Sequence, residues 1–184
     1  AERGRTLQWF HHPFLHTGVT LEIRRALDSF LAERQYRVAP VTVDYADYAF
    51  NGVYNRLLRA GDQSLAEKVR QAYEEQVDIG FQHFERFSGE VLGYELPQIL
   101  LIHCNALNAV SLPATIARLR ARGYSFVSLA EAMTDPAYQR PDDYVGPGGL
   151  SWLRRWAMAL GKPRPPGDGP RLPRWITDLP RPGR

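Results

Sequence analysis

Three short stretches of this 184-residue chain hold side chains of catalytic type. The first is His11-His12-Pro13-Phe14-Leu15-His16. The second is Asp44-Tyr45-Ala46-Asp47-Tyr48. The third is Ile102-His103-Cys104-Asn105, at the end of an aliphatic run. A carboxylate beside an imidazole fixes the ring's tautomer and favours its charged form. The product is a histidine able to donate a proton near neutral pH. Asp47 or Asp44 can form such a pair with His103. The other use of the aspartates is to cap the helix that follows. His12 and His16 have the i, i+4 spacing of metal ligands on a helix, but Pro13 directly after His12 argues against a shared helix face. Taken alone, His103 reads as a hydrogen-bonded core histidine, so the elements that carry it decide its meaning.

Pro97-Gln98-Ile99-Leu100-Leu101-Ile102-His103 is a short apolar run entered through proline. That pattern predicts a strand buried on both faces, as in a parallel sheet covered by helices. Catalytic groups in such sheets gather at the carboxyl ends of the strands, where His103 stands. Upstream, Thr6 to Phe10 has strand composition, and Pro13 and Gly18 make the next stretch a loop. From Val19 to Gln35, Leu21, Ile23, Ala26, Leu27, Phe30 and Leu31 keep helical spacing, with Thr17 or Thr20 as cap. Tyr36 to Asp44 is the second strand. Asn51 to Ser88 reads as helix broken near Gly61, where Asp62 or Ser64 caps the second piece. Glu90 to Leu96 is a connector. A helix from Ser111 to Arg122 stops at Gly123. Tyr124 to Val127 is a further strand, and Ser128 caps a helix through Met133. Alternating strands and helices predict an α/β fold with a parallel sheet. Regular crossovers then place the three loops on one face.

Composition narrows the classes. At 44% hydrophobic and 23% charged residues the chain is of ordinary globular make-up. The net charge of +3 is small and much of the arginine lies near the carboxyl end, so nucleic acid is not a favoured partner. The single Cys104 excludes an internal disulfide and a cysteine-rich zinc site. No run is long and apolar enough to cross a membrane as a helix. The start at Ala1, running from a short charged lead into an apolar segment, suggests a processed product or a fragment. Three regions follow: residues 1–135 with the alternating elements, 136–160 with a short amphipathic helix from Ser151 to about Leu160, and a Pro/Gly/Arg-rich tail over 161–184. The tail reads as extended or disordered, with Trp175 and Ile176 able to pin it back.

The motifs resemble a specific family. Asp44-Tyr45-Ala46-Asp47-Tyr48 is similar to the Asp-x-x-Asp-Trp motif of the polysaccharide deacetylases, the NodB-homology group or carbohydrate esterase family 4. Leu101-Ile102-His103 resembles their Leu-x-His motif, and Phe10-His11-His12-Pro13-Phe14 their Arg-x-Pro motif. The order of the three agrees, and the resemblance covers about Leu7 to Met133. It implies part of a deformed (β/α) barrel, and hydrolysis of N-acetyl groups on a carbohydrate polymer assisted by a divalent metal, usually zinc. His103 would protonate the leaving amine and Asp47 would tune it. Leu101 would line the acetyl pocket, and Tyr48, in place of tryptophan, would be an aromatic wall. His11 and Pro13 would contribute to substrate binding.

Two departures follow from the same comparison. The family's base and one metal aspartate come from Thr-Phe-Asp-Asp, and its metal histidines from His-x-x-x-His, both upstream of Arg-x-Pro. Neither stands before Trp9, so no metal ligand is identified in this chain. His11 replaces an arginine and removes a fixed positive charge. The expectation is a chain with the general-acid side of the site and without the metal side, inactive alone. From a different class, a non-catalytic carbohydrate-binding or interaction protein would keep the fold without the metal. An α/β hydrolase using serine or Cys104 lacks the Gly-x-Ser-x-Gly elbow. Expected partners are an N-acetylated polysaccharide and either a second copy or the upstream half of the domain, because an open partial barrel leaves edges to cover. Polymeric cell-wall substrates favour a periplasmic or secreted location.

Overall fold

The computed structural model of the protein describes residues 7–163, 169 and 171–179. In chain order its elements are β1 (Trp9–Phe10), α1 (Leu21–Glu33), β2 (Arg37–Val38), α2 (Asp47–Arg59), α3 (Gln63–Leu92), α4 (Ala106–Ala121), α5 (Leu129–Ala132), α6 (Trp152–Ala159) and α7 (Arg174–Thr177). Short 3₁₀ turns lie at Pro13–Leu15 and Pro136–Gln139. The chain is mixed α/β, with helix predominating. Among the described residues no helix is long and apolar enough to cross a membrane. The chain divides into two compact units. One comprises Ala1–Thr42, Ser88–Ile99 and Ser128–Arg164, and the other Val43–Phe87, Leu100–Val127 and Pro165–Arg184.

In the first unit β1 runs parallel to β2, with Trp9 opposite Arg37 and Phe10 opposite Val38. The crossover between them is α1. Of the two threonines before it, Thr20 caps it, its hydroxyl accepting from the Ile23 N–H at 3.3 Å. Leu15, Leu31, Val41, Leu96, Leu153 and Trp156 are buried here. Phe14 and Leu15 both adopt left-handed backbone, at φ 55° and 56°. Gly149 passes so close to this turn that an added Cβ would stand 1.9 Å from the Phe14 carbonyl oxygen. Only glycine fits that approach.

The second unit is organised on α3. Ala66, Val69, Tyr73, Val77, Phe81, Phe84 and Phe87 are all buried, at the three- and four-residue spacing of one helical face. Its break from α2 is at Gly61 (φ +77°), and Asp62 is the cap, accepting from the Leu65 N–H at 3.0 Å. The helix α4 begins earlier than its apolar pattern suggested. Asn105 caps it, accepting from the Asn108 N–H at 2.8 Å. It packs against α2. Gly123 (φ +91°) ends it in the left-handed conformation that stops helices.

The strands are shorter than the sequence predicted. The stretch Tyr36 to Asp44 yields only β2 and a bridge. The run ending at His103 makes one parallel bridge, Leu100 to Val43, and Tyr124 to Val127 forms no ladder among the described residues. The doubly buried strand is therefore corrected: Leu100 and Leu101 are half-buried and Ile102 is exposed. An aliphatic run states a preference for extension, while a ladder also needs a hydrogen-bonding neighbour running alongside it. The tail is corrected in part. Arg174–Thr177 is a helical turn with Ile176 buried, while Trp175 stays exposed; 164–168, 170 and 180–184 lie outside the described residues.

Candidate active site

In the second unit the turn before α2 is built by Asp44. Its carboxylate accepts from the Ala46 N–H at 2.9 Å. Ala46 takes left-handed backbone, φ 58° and ψ 43°, which costs a non-glycine residue about 1 kcal/mol. The chain then enters α2 with Asp47 in its first turn, 1% exposed. Asp44 therefore shapes the turn, and Asp47 is left for His103.

Asp47 meets His103 twice. The ring Nδ1 lies 2.7 Å from Oδ1, and the His103 backbone N–H donates to Oδ2 at 2.8 Å. Asn105 Nδ2 donates to Oδ2 at 3.0 Å, and Asn108 Nδ2 also donates to it. One buried carboxylate thus gathers four N–H groups, and the first turns of α2 and α4 both supply residues to it. Asn51 ties the two helices, accepting from the Leu107 N–H at 3.2 Å and from Asn55 Nδ2 at 3.3 Å.

The His103 side chain is 49% exposed although its partner is buried. With Nδ1 turned to Asp47, Nε2 is the nitrogen left for a reactant. Tyr48 stands edge to face with the ring at 6.0 Å and is 60% exposed, so an aromatic surface flanks the imidazole. Leu101 is half-buried two residues before it. His103, Asp47, Tyr48 and Leu101 are thus in one unit, with the first three in contact. Asn108 and Asn51 were not legible. The signal was the spacing Asn105-x-x-Asn108, a polar pair at the start of a helix.

The loop with His11 and Pro13 belongs to the first unit. His11 is half-buried and Pro13 exposed. A pocket of about 520 Å³ there is lined by Pro13, Phe14, His16, Pro147, Gly148 and Gly149. His16 donates from Nε2 to the Gly146 carbonyl at 2.8 Å. His12 is 1% exposed, edge-on to Phe10 at 5.1 Å, and its Nδ1 has no hydrogen-bond partner among the described residues. Among those residues no three His, Cys, Asp or Glu side chains are grouped to hold a metal ion. His16 Nε2 is engaged by a carbonyl, His12 is enclosed, and His103 Nδ1 faces Asp47.

Burial holds the His12 imidazole below its ordinary value, and the Arg155 charge adds to this, with Arg24 and His11 in the same direction and Asp28 opposed. Folded His12 thus resists protonation. Below about pH 6.5 the unfolded chain binds a proton that the folded chain refuses, so stability falls as pH drops through that window. The loss is at most about 1.4 kcal/mol per pH unit for one group. Urea midpoints taken between pH 7 and pH 5 should fall more steeply in the parent than in His12→Asn. Equal slopes would remove His12 from the account.

Comparison of the chain with protein-family models, with curated proteins and with solved structures gave no significant match.

Proposed function

We propose that this chain carries the proton-donating part of a polysaccharide deacetylase-like hydrolase, acting on N-acetyl groups of a carbohydrate polymer. One observation supports this above the others: His103 is held through Nδ1 by a buried carboxylate while its ring stays half exposed. In that arrangement Nε2 of the imidazolium gives its proton to the leaving amine nitrogen as the C–N bond breaks. The ring returns to the neutral form with its remaining proton on Nδ1, facing Asp47. Tyr48 offers a sugar ring an aromatic wall beside the imidazole, and Leu101 is the apolar lining for the acetyl methyl. His11 and Pro13 lie in the first unit, and their assignment to substrate binding rests on the resemblance alone. The parallel pairing of β1 with β2, and the parallel bridge of Val43 with Leu100, are each of the kind a deformed (β/α) barrel needs.

On this reading the base and the metal ligands come from the two upstream motifs of the family, and the 184 residues alone do not turn over. The test measures acetate released from an N-acetylglucosamine oligomer with added zinc. It compares the 184-residue chain with the same chain joined to an upstream segment bearing Thr-Phe-Asp-Asp and His-x-x-x-His. Turnover by the joined protein only is the expected result. Metal-dependent turnover by the 184 residues would make the His11–His16 loop a metal site and overturn the division of labour. Oligomer binding without turnover by a folded joined protein would favour a non-catalytic carbohydrate-binding role.

A further inference from the structure

We propose that Asn108, anchored by Tyr73, is a positioning residue for His103: it fixes which ring nitrogen carries the proton and which way the ring faces. This deepens the proposed function and rests on it for the use to which the ring is put. The network itself stands on geometry. Asn108 is buried and its amide makes three contacts. Nδ2 faces the Asp47 Oδ2 and, at 2.8 Å, the His103 carbonyl oxygen; Oδ1 faces the Tyr73 hydroxyl.

Proton directions follow from what each group can do. A backbone carbonyl only accepts, and so does an ionised carboxylate. Two acceptors on one side of an amide require its nitrogen there, because that end alone has two hydrogens to give. The amide oxygen is then turned to Tyr73, and a phenol opposite an amide oxygen must donate. Tyr73 is fully buried, and that burial, with the neighbouring Tyr45, pushes its hydroxyl well above the ordinary range, so it keeps the proton it donates. Its ring is fixed against Tyr45 and Phe50, with centroids 5.7 and 5.5 Å away.

The consequence reaches His103 through Asp47. Oδ2 receives three N–H groups, from the His103 backbone, Asn105 and Asn108. Oδ1 is left to the imidazole, at 2.7 Å. A carboxylate oxygen facing Nδ1 selects the tautomer with hydrogen on Nδ1. Asn108 also grips the carbonyl of His103, so it holds both the carboxylate that meets the ring and the backbone that carries it. Capping α4 requires only Asn105, which already accepts from the Asn108 N–H. The amide of Asn108 makes its bonds to the Asp47–His103 pair and to Tyr73, not to its own helix.

The test uses the 184-residue chain labelled with ¹⁵N-histidine. Two-bond proton–nitrogen spectra separate the tautomers, and His103→Gln identifies the His103 signals. In the parent, neutral His103 should carry its hydrogen on Nδ1. In Asn108→Ala the ratio of the Nδ1–H to the Nε2–H form should fall about tenfold or more, as expected for losing a charge-assisted bond that steers the carboxylate. In Tyr73→Phe it should fall by a smaller factor, with far-UV circular dichroism unchanged in both. A parent with the Nε2–H form dominant overturns the proposal, and so does an unchanged ratio in both folded variants. If Asn108→Ala does not fold, Tyr73→Phe decides, because it removes one oxygen and no ring packing. The spectra require no turnover. Failure of deacetylation in the joined protein would therefore leave this result standing, and an unchanged ratio in the two variants would overturn the role of Asn108 while leaving the deacetylase reading standing.

Discussion

If His103 is the general acid proposed above, replacing it by alanine in the joined, metal-competent protein should lower kcat by about 10²–10⁴, with a smaller change in KM. Asp47→Asn acts in the same direction through the hydrogen-bond pattern. Three of the four donors on the Asp47 carboxylate converge on Oδ2. An asparagine at this place keeps its oxygen for those three and turns its N–H₂ to the imidazole. His103 Nδ1 must then accept, and the proton moves to Nε2, the wrong tautomer for return to the starting state. The doubly protonated ring meets an amide hydrogen and not a charge. A loss of about 10²-fold or more in kcat is expected, again with the smaller effect on KM. Initial rates of acetate release over a range of oligomer concentrations check both. Unaltered kcat in His103→Ala would end the general-acid assignment.

The second large effect is on stability. Arg155→Met should destabilise the protein by about 3–5 kcal/mol, because it breaks a buried ion pair on one side. The Arg155 side chain is 1% exposed. It donates to Asp142 at 2.8 Å, to the Leu15 carbonyl at 2.5 Å, to the Leu150 carbonyl at 2.9 Å and to Thr17 at 3.4 Å. Its guanidinium lies over Trp152 at 4.0 Å and Tyr144 at 5.0 Å. Methionine keeps the apolar stem and loses every one of those bonds. Asp142 retains Arg24 at 3.0 Å, but the buried Leu15 carbonyl and the half-buried Leu150 carbonyl both lose their donor. The Leu15 carbonyl belongs to the left-handed turn at Phe14 and Leu15, so the same change frees a strained segment. Burial pushes the Asp142 carboxyl up, and the Arg24 bond with the Arg155 charge outweighs it, leaving it below the ordinary value. The stabilisation is thus present above about pH 4 and is lost as pH falls through the lowered value. At neutral pH, melting temperature should drop by roughly 10 °C, with Arg155→Lys intermediate. A melting point within about 2 °C of the parent would show that Arg155 is dispensable.

The legible parts of the fold were those with local cause. Thr20 and Asp62 are side chains of capping type, and the apolar stripe of α3 keeps its period for many turns. The sheet was over-read, because Ile99 to Ile102 shows what a buried strand is made of without showing what it pairs with. The start of α4 was set too late, at Ser111, because Asn105 was read as a polar residue at a strand end and not as a cap. In the site, His103 and Asp47 were legible because their chemistry is rare and their motifs are ordered. Asn108 and Tyr73 carry no such mark. Each is an ordinary polar residue on a helix, and its meaning comes from a neighbour distant in sequence. Arg155 lies on the stretch read as a short amphipathic helix, a pattern that does not mark a charged residue as buried, and it is enclosed.

Asp47 belongs to two economies at once. Its carboxylate gathers N–H groups at the starts of two helices, and it also holds the imidazole. A lineage without the proposed reaction would still be selected against losing Asp47, because its loss would orphan buried donors and weaken the fold. Purifying selection on folding alone therefore preserves the Asp47–Asn105–Asn108 cluster. Drift should be felt first at positions that face outward and support nothing behind them, above all Tyr48 and Cys104. In a set of descendants, the sign of the proposed catalysis is restraint at Tyr48 and at the imidazole itself, and not the persistence of the aspartate.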